Sequence, residues 1–328
     1  MKPDAWAALR GLDIRPSPDA GLINQTFVAG DPPRFAVQRL NPLFSARVHE
    51  DIEAVTAHLA RRGMLTPRLV RTDDGGLWAE DASGEVWRVL TWIPGTTFNR
   101  VRDLGIAAEA GALVARFHAA VDDLDWEYRS VRPGAHDTPA HMARLAAVAG
   151  TGAGEARELA DGILGDWATW EGRLDLPERH AHGDLKISNL RFDADGHALC
   201  LLDLDTLARL SLDVELGDAW RSWCNPVGED AVETQFDLDV FQASSAAYLR
   251  VRAVSVAERE ALVGGIERIA LELASRFCRD AIEDRYFGWD PTRFPTRVAH
   301  NLFRARGQWN LARSVRRRRR EAERYLLG

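Results

Sequence analysis

Cysteine is scarce in this chain of 328 residues: Cys200, Cys224 and Cys278 are an odd number, and no two are close in sequence. That excludes a disulfide scaffold and a Cys-x-x-Cys metal or redox site. It fits a reducing compartment, so the expected location is cytoplasmic. No run of eighteen apolar residues occurs, which predicts no transmembrane helix and no membrane partner. Met1-Lys2-Pro3-Asp4-Ala5-Trp6 lacks a basic head followed by an apolar stretch, so no signal peptide is expected. The net charge of −7 argues against a nucleic-acid partner. Lysine is scarcer still: of 42 basic residues, Lys2 and Lys186 are the only lysines.

What is present suits a globular protein with a large core. Hydrophobic residues make up 46% and charged residues 28% of the chain. At roughly 150 residues per domain, the length predicts two lobes. Residues 11–95 read as a small sheet with one helix. Leu22–Val28 and Arg34–Leu40 flank the turn Ala29–Pro33 as a hairpin, and His49–Arg62 has helical spacing of Ile52, Val55 and Leu59. Leu69–Thr72 and Leu77–Glu80 read as a second hairpin, and Glu85–Ile93 as a further strand ended by Pro94-Gly95. Beyond that point helices dominate, over 104–121, 138–148 and 155–174 and through most of 230–328. Short strands within 180–205 interrupt them.

Chemistry concentrates in His180-Ala181-His182-Gly183-Asp184-Leu185-Lys186-Ile187-Ser188-Asn189, followed by Leu199–Leu202 and Asp203-Leu204-Asp205-Thr206. Asp184, Asn189 and Asp203 stand at the ends of short apolar strands, where polar side chains point out of a core toward a cleft. One carboxylate can accept a proton from a hydroxyl. An amide oxygen and a second carboxylate are the hard ligands that Mg²⁺ prefers. Phosphoryl transfer needs this equipment.

His182-x-Asp184-x-x-x-x-Asn189, with Asp203 fourteen residues on, resembles the catalytic and metal-binding loops of the protein-kinase-like fold. Gly183 after the histidine is similar to the aminoglycoside phosphotransferase and choline kinase branch. Within it, five motifs resemble N-acetylhexosamine 1-kinase-like proteins. They are Gly21–Phe27, Val37–Phe44, Asp203–Thr206, Gly217–Arg221 and Asn301–Gln308, spread over roughly residues 17–312. The resemblance implies an α+β, two-lobe fold: an N-lobe over 1–94 with an antiparallel sheet, and a mostly helical C-lobe over 95–328. It implies ATP and Mg²⁺ as cofactors and a small-molecule hydroxyl as acceptor. Asp184 is then the base, Lys186 steadies the transferred phosphate, and Asn189 and Asp203 hold the metal. The backbone of Trp92 is placed at the adenine. Asp205 and Arg306 become candidate substrate contacts.

The chain departs from the pattern in the N-lobe. The lysine that holds the α- and β-phosphates is missing, and Gln38 stands at its position, with Arg39 on the other strand face. Glu50, or Glu53 on the same helical face, is the expected partner carboxylate. The glycine-rich loop is reduced to Gly21. Three other readings stay open: a kinase of an aminoglycoside, choline or homoserine-type acceptor, a nucleotide-binding module without catalysis, and a metal hydrolase built on His180, His182 and Asp184. For Asp213, Glu215 and Asp218 the expectation is support of the catalytic loop. The eleven tryptophans are expected in packing, and Arg316–Arg320 on an exposed terminal helix.

Overall fold

A computed structural model of the chain describes residues 3–17 and 24–327. Strands β1 (Ile14–Pro16), β2 (Gln25–Ala29), β3 (Phe35–Arg39), β4 (Ala79–Glu80) and β5 (Val86–Thr91) form one antiparallel sheet in the order β1-β2-β3-β5-β4. β2 and β3 make the expected hairpin, with Phe27 opposite Val37. Leu22 and Ile23 of the expected strand, and Gly21, lie outside the described residues.

The sheet has five strands, as the sequence suggests, but not the same five. Leu69–Thr72 does not pair with Leu77–Glu80. Leu69 bridges Leu90, and the Val70 N–H donates to the Val89 carbonyl, so this segment lies along β5 instead. The carbonyl of Val70 takes the indole N–H of Trp6, which seats the N-terminal segment on the sheet. One sheet face packs Trp6, Leu9, Val37, Trp87 and Val89 into a small core. Helix α1 (Val48–Arg61) packs into the larger core of the molecule, burying Ile52, Val55 and Leu59 at helical spacing.

Trp92–Gly95 leads out of the sheet. Gly95 has φ +137°, and a Cβ there would lie 2.3 Å from the carbonyl oxygen of Phe192, so glycine is required where the chain crosses the second lobe. Thr96 and Phe192 exchange backbone hydrogen bonds at this crossing.

The second lobe is helical: α2 (Leu104–Val121), α3 (Thr138–Ala149), α4 (Glu155–Ala168), α5 (Leu212–Trp223), α6 (Leu238–Val251), α7 (Val256–Glu283) and α8 (Arg297–Leu327). α4 is shorter than its apolar pattern suggests. Thr169 caps it, and Trp170 turns away to donate to the Gly264 carbonyl. α2 is long and apolar enough to cross a membrane by composition. It packs on α6, and its Glu109 and Arg116 bond the backbone of Ala198, which makes it a core helix. Two short ribbons interrupt the helices: β6 (Glu178–Ala181) with β9 (Ala208–Ser211), and β7 (Leu190–Phe192) with β8 (Ala198–Leu201). Both end at the cleft between sheet and helices.

Candidate active site

The loop after β6 carries Asp184, and buried groups fix its backbone. The carboxylate of Glu215, on α5, accepts the N–H groups of His182 and Gly183 at 2.7 and 3.0 Å. Asp218 accepts the N–H of Leu185 at 3.1 Å, and the Trp223 indole donates to the Leu185 carbonyl at 2.7 Å. Glu215 and Asp218 thus support the loop, as the sequence suggests. Asp213 pairs instead with Arg268. His182 meets the Leu202 carbonyl through Nε2 at 2.7 Å and accepts the Asp184 N–H at Nδ1, an arrangement that puts the proton on Nε2. Gly183 has φ +79°, and a Cβ would lie 2.4 Å from the Thr206 carbonyl oxygen, so the loop closes against Thr206 only with glycine.

This backbone brings three expected residues together. Lys186 Nζ donates to Asp184 Oδ2 at 2.8 Å, and Asn189 Nδ2 donates to the same oxygen at 3.0 Å and to the Asp184 carbonyl at 2.8 Å. Burial opposes the charged form of Asp184, but Lys186, His182 and Asn189 together outweigh it and hold the carboxyl below its ordinary value. Asp203 follows β8 and Leu202 in a left-handed conformation, φ +57°, which aspartate adopts more readily than most residues with a Cβ.

Burial, Asp205 and Asp184 push the Asp203 carboxyl up to about 6. The cleft floor therefore holds more negative charge than its own cations neutralise. Asn189 has spent its amide hydrogens on Asp184, so its oxygen is what it offers. One carboxylate and one amide oxygen on the cleft wall, in excess negative charge, fit a Mg²⁺ ion.

The sheet side of the cleft differs from expectation. Gln38 does line it, donating to Thr26 Oγ1 at 3.1 Å, while Arg39 faces away and pairs with Glu85. Glu50 does not approach Gln38. It lies at the start of α1, paired with Arg47, and Glu53 pairs with Arg68 and Arg71. What meets Gln38 is Arg88, its register partner on β5, whose Nε donates to Gln38 Oε1 at 2.9 Å. The two Nη groups of Arg88 grip both oxygens of Asp205, one at 2.8 Å, and Asn24 adds a further donor to Asp205 at 2.5 Å. Asp205, a candidate substrate contact from sequence, is thereby buried and committed to the sheet. Arg88 was not singled out from sequence. The signal was a lone arginine within Val86-Trp87-Arg88-Val89-Leu90, a strand otherwise apolar, where a buried charge must find a partner.

Trp92 reaches the cleft where the chain leaves the sheet, but its N–H is spent on the Arg34 carbonyl at 2.9 Å. Its own carbonyl is the backbone group left to offer. Arg191 stacks on its ring and bonds the Ile93 carbonyl. Arg306 is not at the cleft: it lies on α8, 41% exposed, paired with Glu155 of α4. His180 and His182 form no metal cluster, because His180 is held by Tyr128 and the Leu124 carbonyl and His182 by the loop backbone. Arg316–Arg320 lie on the terminal helix as expected, with Arg317, Arg318 and Arg320 exposed, while Arg316 and Arg319 turn to Glu267 on α7.

Comparison with known proteins agrees with this geometry. Residues 15–254 match the model of the phosphotransferase enzyme family. The fold is shared with an aminoglycoside phosphotransferase from Alicyclobacillus acidocaldarius (TM-score 0.66, 16% identity, 97% of this chain and 95% of that one). It is shared with a choline kinase from Cryptosporidium parvum (TM-score 0.64, 12% identity, 100% and 98%). It is also shared with an amicoumacin kinase in complex with AMP-PNP and Ca²⁺ (TM-score 0.59, 13% identity, 89% of each). A curated relative, gamma-glutamyl phosphate reductase of Acidiphilium cryptum, is 28% identical over 112 residues, which are 34% of this chain. The chain spans about a quarter (27%) of that relative's length. The family match covers most of the chain and includes Gln38, Arg88 and the whole loop from His182 to Asp205, so this protein belongs to the phosphotransferase enzyme family.

Proposed function

We propose that this phosphotransferase uses Mg²⁺ and ATP to phosphorylate a hydroxyl group of a small molecule, with an N-acetylhexosamine or related sugar, at its anomeric hydroxyl, as the acceptor. The observation that carries the reading is the hydrogen-bonded group of Asp184, Lys186 and Asn189, with Asn189 and Asp203 lining one cleft opposite Gln38 and Trp92. The five sequence motifs shared with N-acetylhexosamine 1-kinase-like proteins support the choice of acceptor. An amicoumacin kinase of the same fold, bound to an ATP analogue, supports the choice of donor.

Asp184 Oδ2 is occupied by Lys186 and Asn189, which leaves Oδ1 to receive the acceptor hydroxyl and its proton. Lys186 lies two residues away and supplies a compact positive charge where the transferred phosphate arrives. Asn189 and Asp203 would hold Mg²⁺, which supplies charge neutralisation to the phosphates. Glu215, Asp218 and Gly183 keep the loop fixed, so little reorganisation is needed at the moment of transfer.

The test is ADP release with Mg²⁺ and ATP across free sugars, N-acetylhexosamines, aminoglycosides and amino alcohols, run beside Asp184→Asn. The reading expects release that depends on the N-acetylhexosamine class and falls by about 10²–10⁴-fold in the variant, with nucleotide affinity unchanged. Dependence on an aminoglycoside or amino alcohol instead overturns the acceptor. Equal turnover by the variant overturns the role of Asp184.

A further inference from the structure

We propose that Arg88, on β5, supplies the positive charge that holds the α- and β-phosphates of the nucleotide in place of a lysine on β3. The inference rests on the kinase reading above and adds a residue outside every motif that led to it.

Arg88 lines the cleft beside Gln38, Asn189 and Asp203, at the end that the metal ligands mark as the phosphate end. Its side chain is 1% exposed, and a guanidinium cannot shed its proton to relieve burial. Nε is spent on Gln38 and one hydrogen of each Nη on Asp205. One N–H on each Nη is then left over; because the edge the two Nη groups share is spent on Asp205, these two point to opposite sides of the guanidinium, and each is a single donor for a separate phosphate oxygen. The other described cations around the cleft stand elsewhere. Lys186 is on Asp184, Arg39 faces away to Glu85, and Arg191 belongs to the opposite end, bonded to the Ile93 carbonyl. Asp184, Asp203 and Asp205 would repel a polyphosphate approaching this wall without a fixed cation among them.

The carboxylate partner has moved with the cation. Helix α1 presents His49 toward Arg88 and Asp205. This imidazole is buried against Trp78 and depressed to about 4 by burial and by the Arg88 charge, so it is neutral. Asp205, two residues after Asp203, takes the role expected of Glu50. The ion pair therefore joins the sheet to the catalytic loop directly, and Asp205 acts as a positioning residue for Arg88.

Calorimetric titration of the full chain with Mg²⁺·ATP, Mg²⁺·ADP and adenosine tests this on wild type, Arg88→Lys, Arg88→Gln and Arg88→Gln/Asp205→Asn. The double variant removes both charges and so leaves no unpaired carboxylate in the interface. The expected result is at least a tenfold loss of ATP and ADP affinity in both glutamine variants, a smaller loss in Arg88→Lys, and adenosine affinity within twofold of wild type throughout. ADP affinity within threefold of wild type in the folded double variant overturns the assignment. So does an equal loss for ADP and adenosine, which marks a merely structural arginine. Wild-type protein that binds no ATP overturns the kinase reading itself, and the inference with it.

Discussion

Glu215 holds the backbone of His182 from below: its Oε1 accepts the His182 N–H at 2.7 Å inside a helical core where no solvent can replace it. Oε2 takes the next N–H, that of Gly183, and Oε1 also meets His118 Nε2 at 3.3 Å. One buried carboxylate thus aims the loop that carries Asp184. Burial alone would push its proton affinity up, but His118, His182 and these bonds hold it below the ordinary glutamate value.

Glu215→Gln tests that relationship. An amide has one acceptor atom, so it can serve only one of the two N–H groups and turns its own donors toward the other. Losing a charged acceptor for a buried N–H costs about 1.5–3 kcal/mol. The variant is expected to melt several degrees lower and to lose about tenfold or more in kcat, while KM for ATP changes little. A kcat near wild type in a folded variant would show that the loop is held by other contacts.

The pair His136–Glu272 predicts a pH dependence of stability. His136 Nδ1 stands 3.4 Å from Glu272 Oε1 where α3 begins, with Thr138, Arg268, His141 and Arg276 around it. Burial opposes the charge on each, but each outweighs it for the other: His136 is raised to about 9 and Glu272 lowered to about 2. The histidine's contribution is complete below its unfolded value near 6.5 and is lost as pH rises through about 9. The glutamate's is complete above about 4.5 and is lost as pH falls through about 2. Stability from this pair is therefore greatest between those unfolded values. His136→Asn tolerates the left-handed backbone at this position, φ +55°, and removes the pair. Urea unfolding from pH 6 to 9 should show wild type losing on the order of 1–3 kcal/mol that the variant does not. Parallel curves for the two proteins would contradict the pairing.

The catalytic loop was legible in sequence because its chemistry is local. His182, Asp184, Lys186 and Asn189 sit within eight residues, and a single tight loop brings them together. The sheet side was less legible because its contacts are not local. Arg88 and Asp205 are 117 residues apart, and nothing in the spacing around either one points to the other. Glu50 failed as a partner for a related reason. Helical spacing shows which residues share a face of α1 but not which of them faces the sheet, and in the fold that position falls to His49. Leu69–Thr72 had the composition of a hairpin strand, but β5 offered it a longer partner than Leu77–Glu80 could.

Arg306 is the converse case, a motif residue that the structure leaves at the surface. It lies within Asn301–Gln308, yet the structure places it on α8 against Glu155, both more than 40% exposed. Solvent screens such a pair, and ordering two long side chains offsets most of its attraction, so its worth is below about 1 kcal/mol. The buried members of the same segment behave otherwise: Asn301 donates to Asp280 Oδ2 at 2.8 Å and Gln308 is fully enclosed. Arg306→Ala should therefore leave kcat/KM for ATP and acceptor within twofold and shift the melting temperature by a degree or two. Asn301→Ala should unfold at a clearly lower temperature, because Asp280 loses a buried donor. A tenfold loss of kcat/KM in Arg306→Ala, with stability unchanged, would return this arginine to the substrate and place the acceptor pocket beside α8.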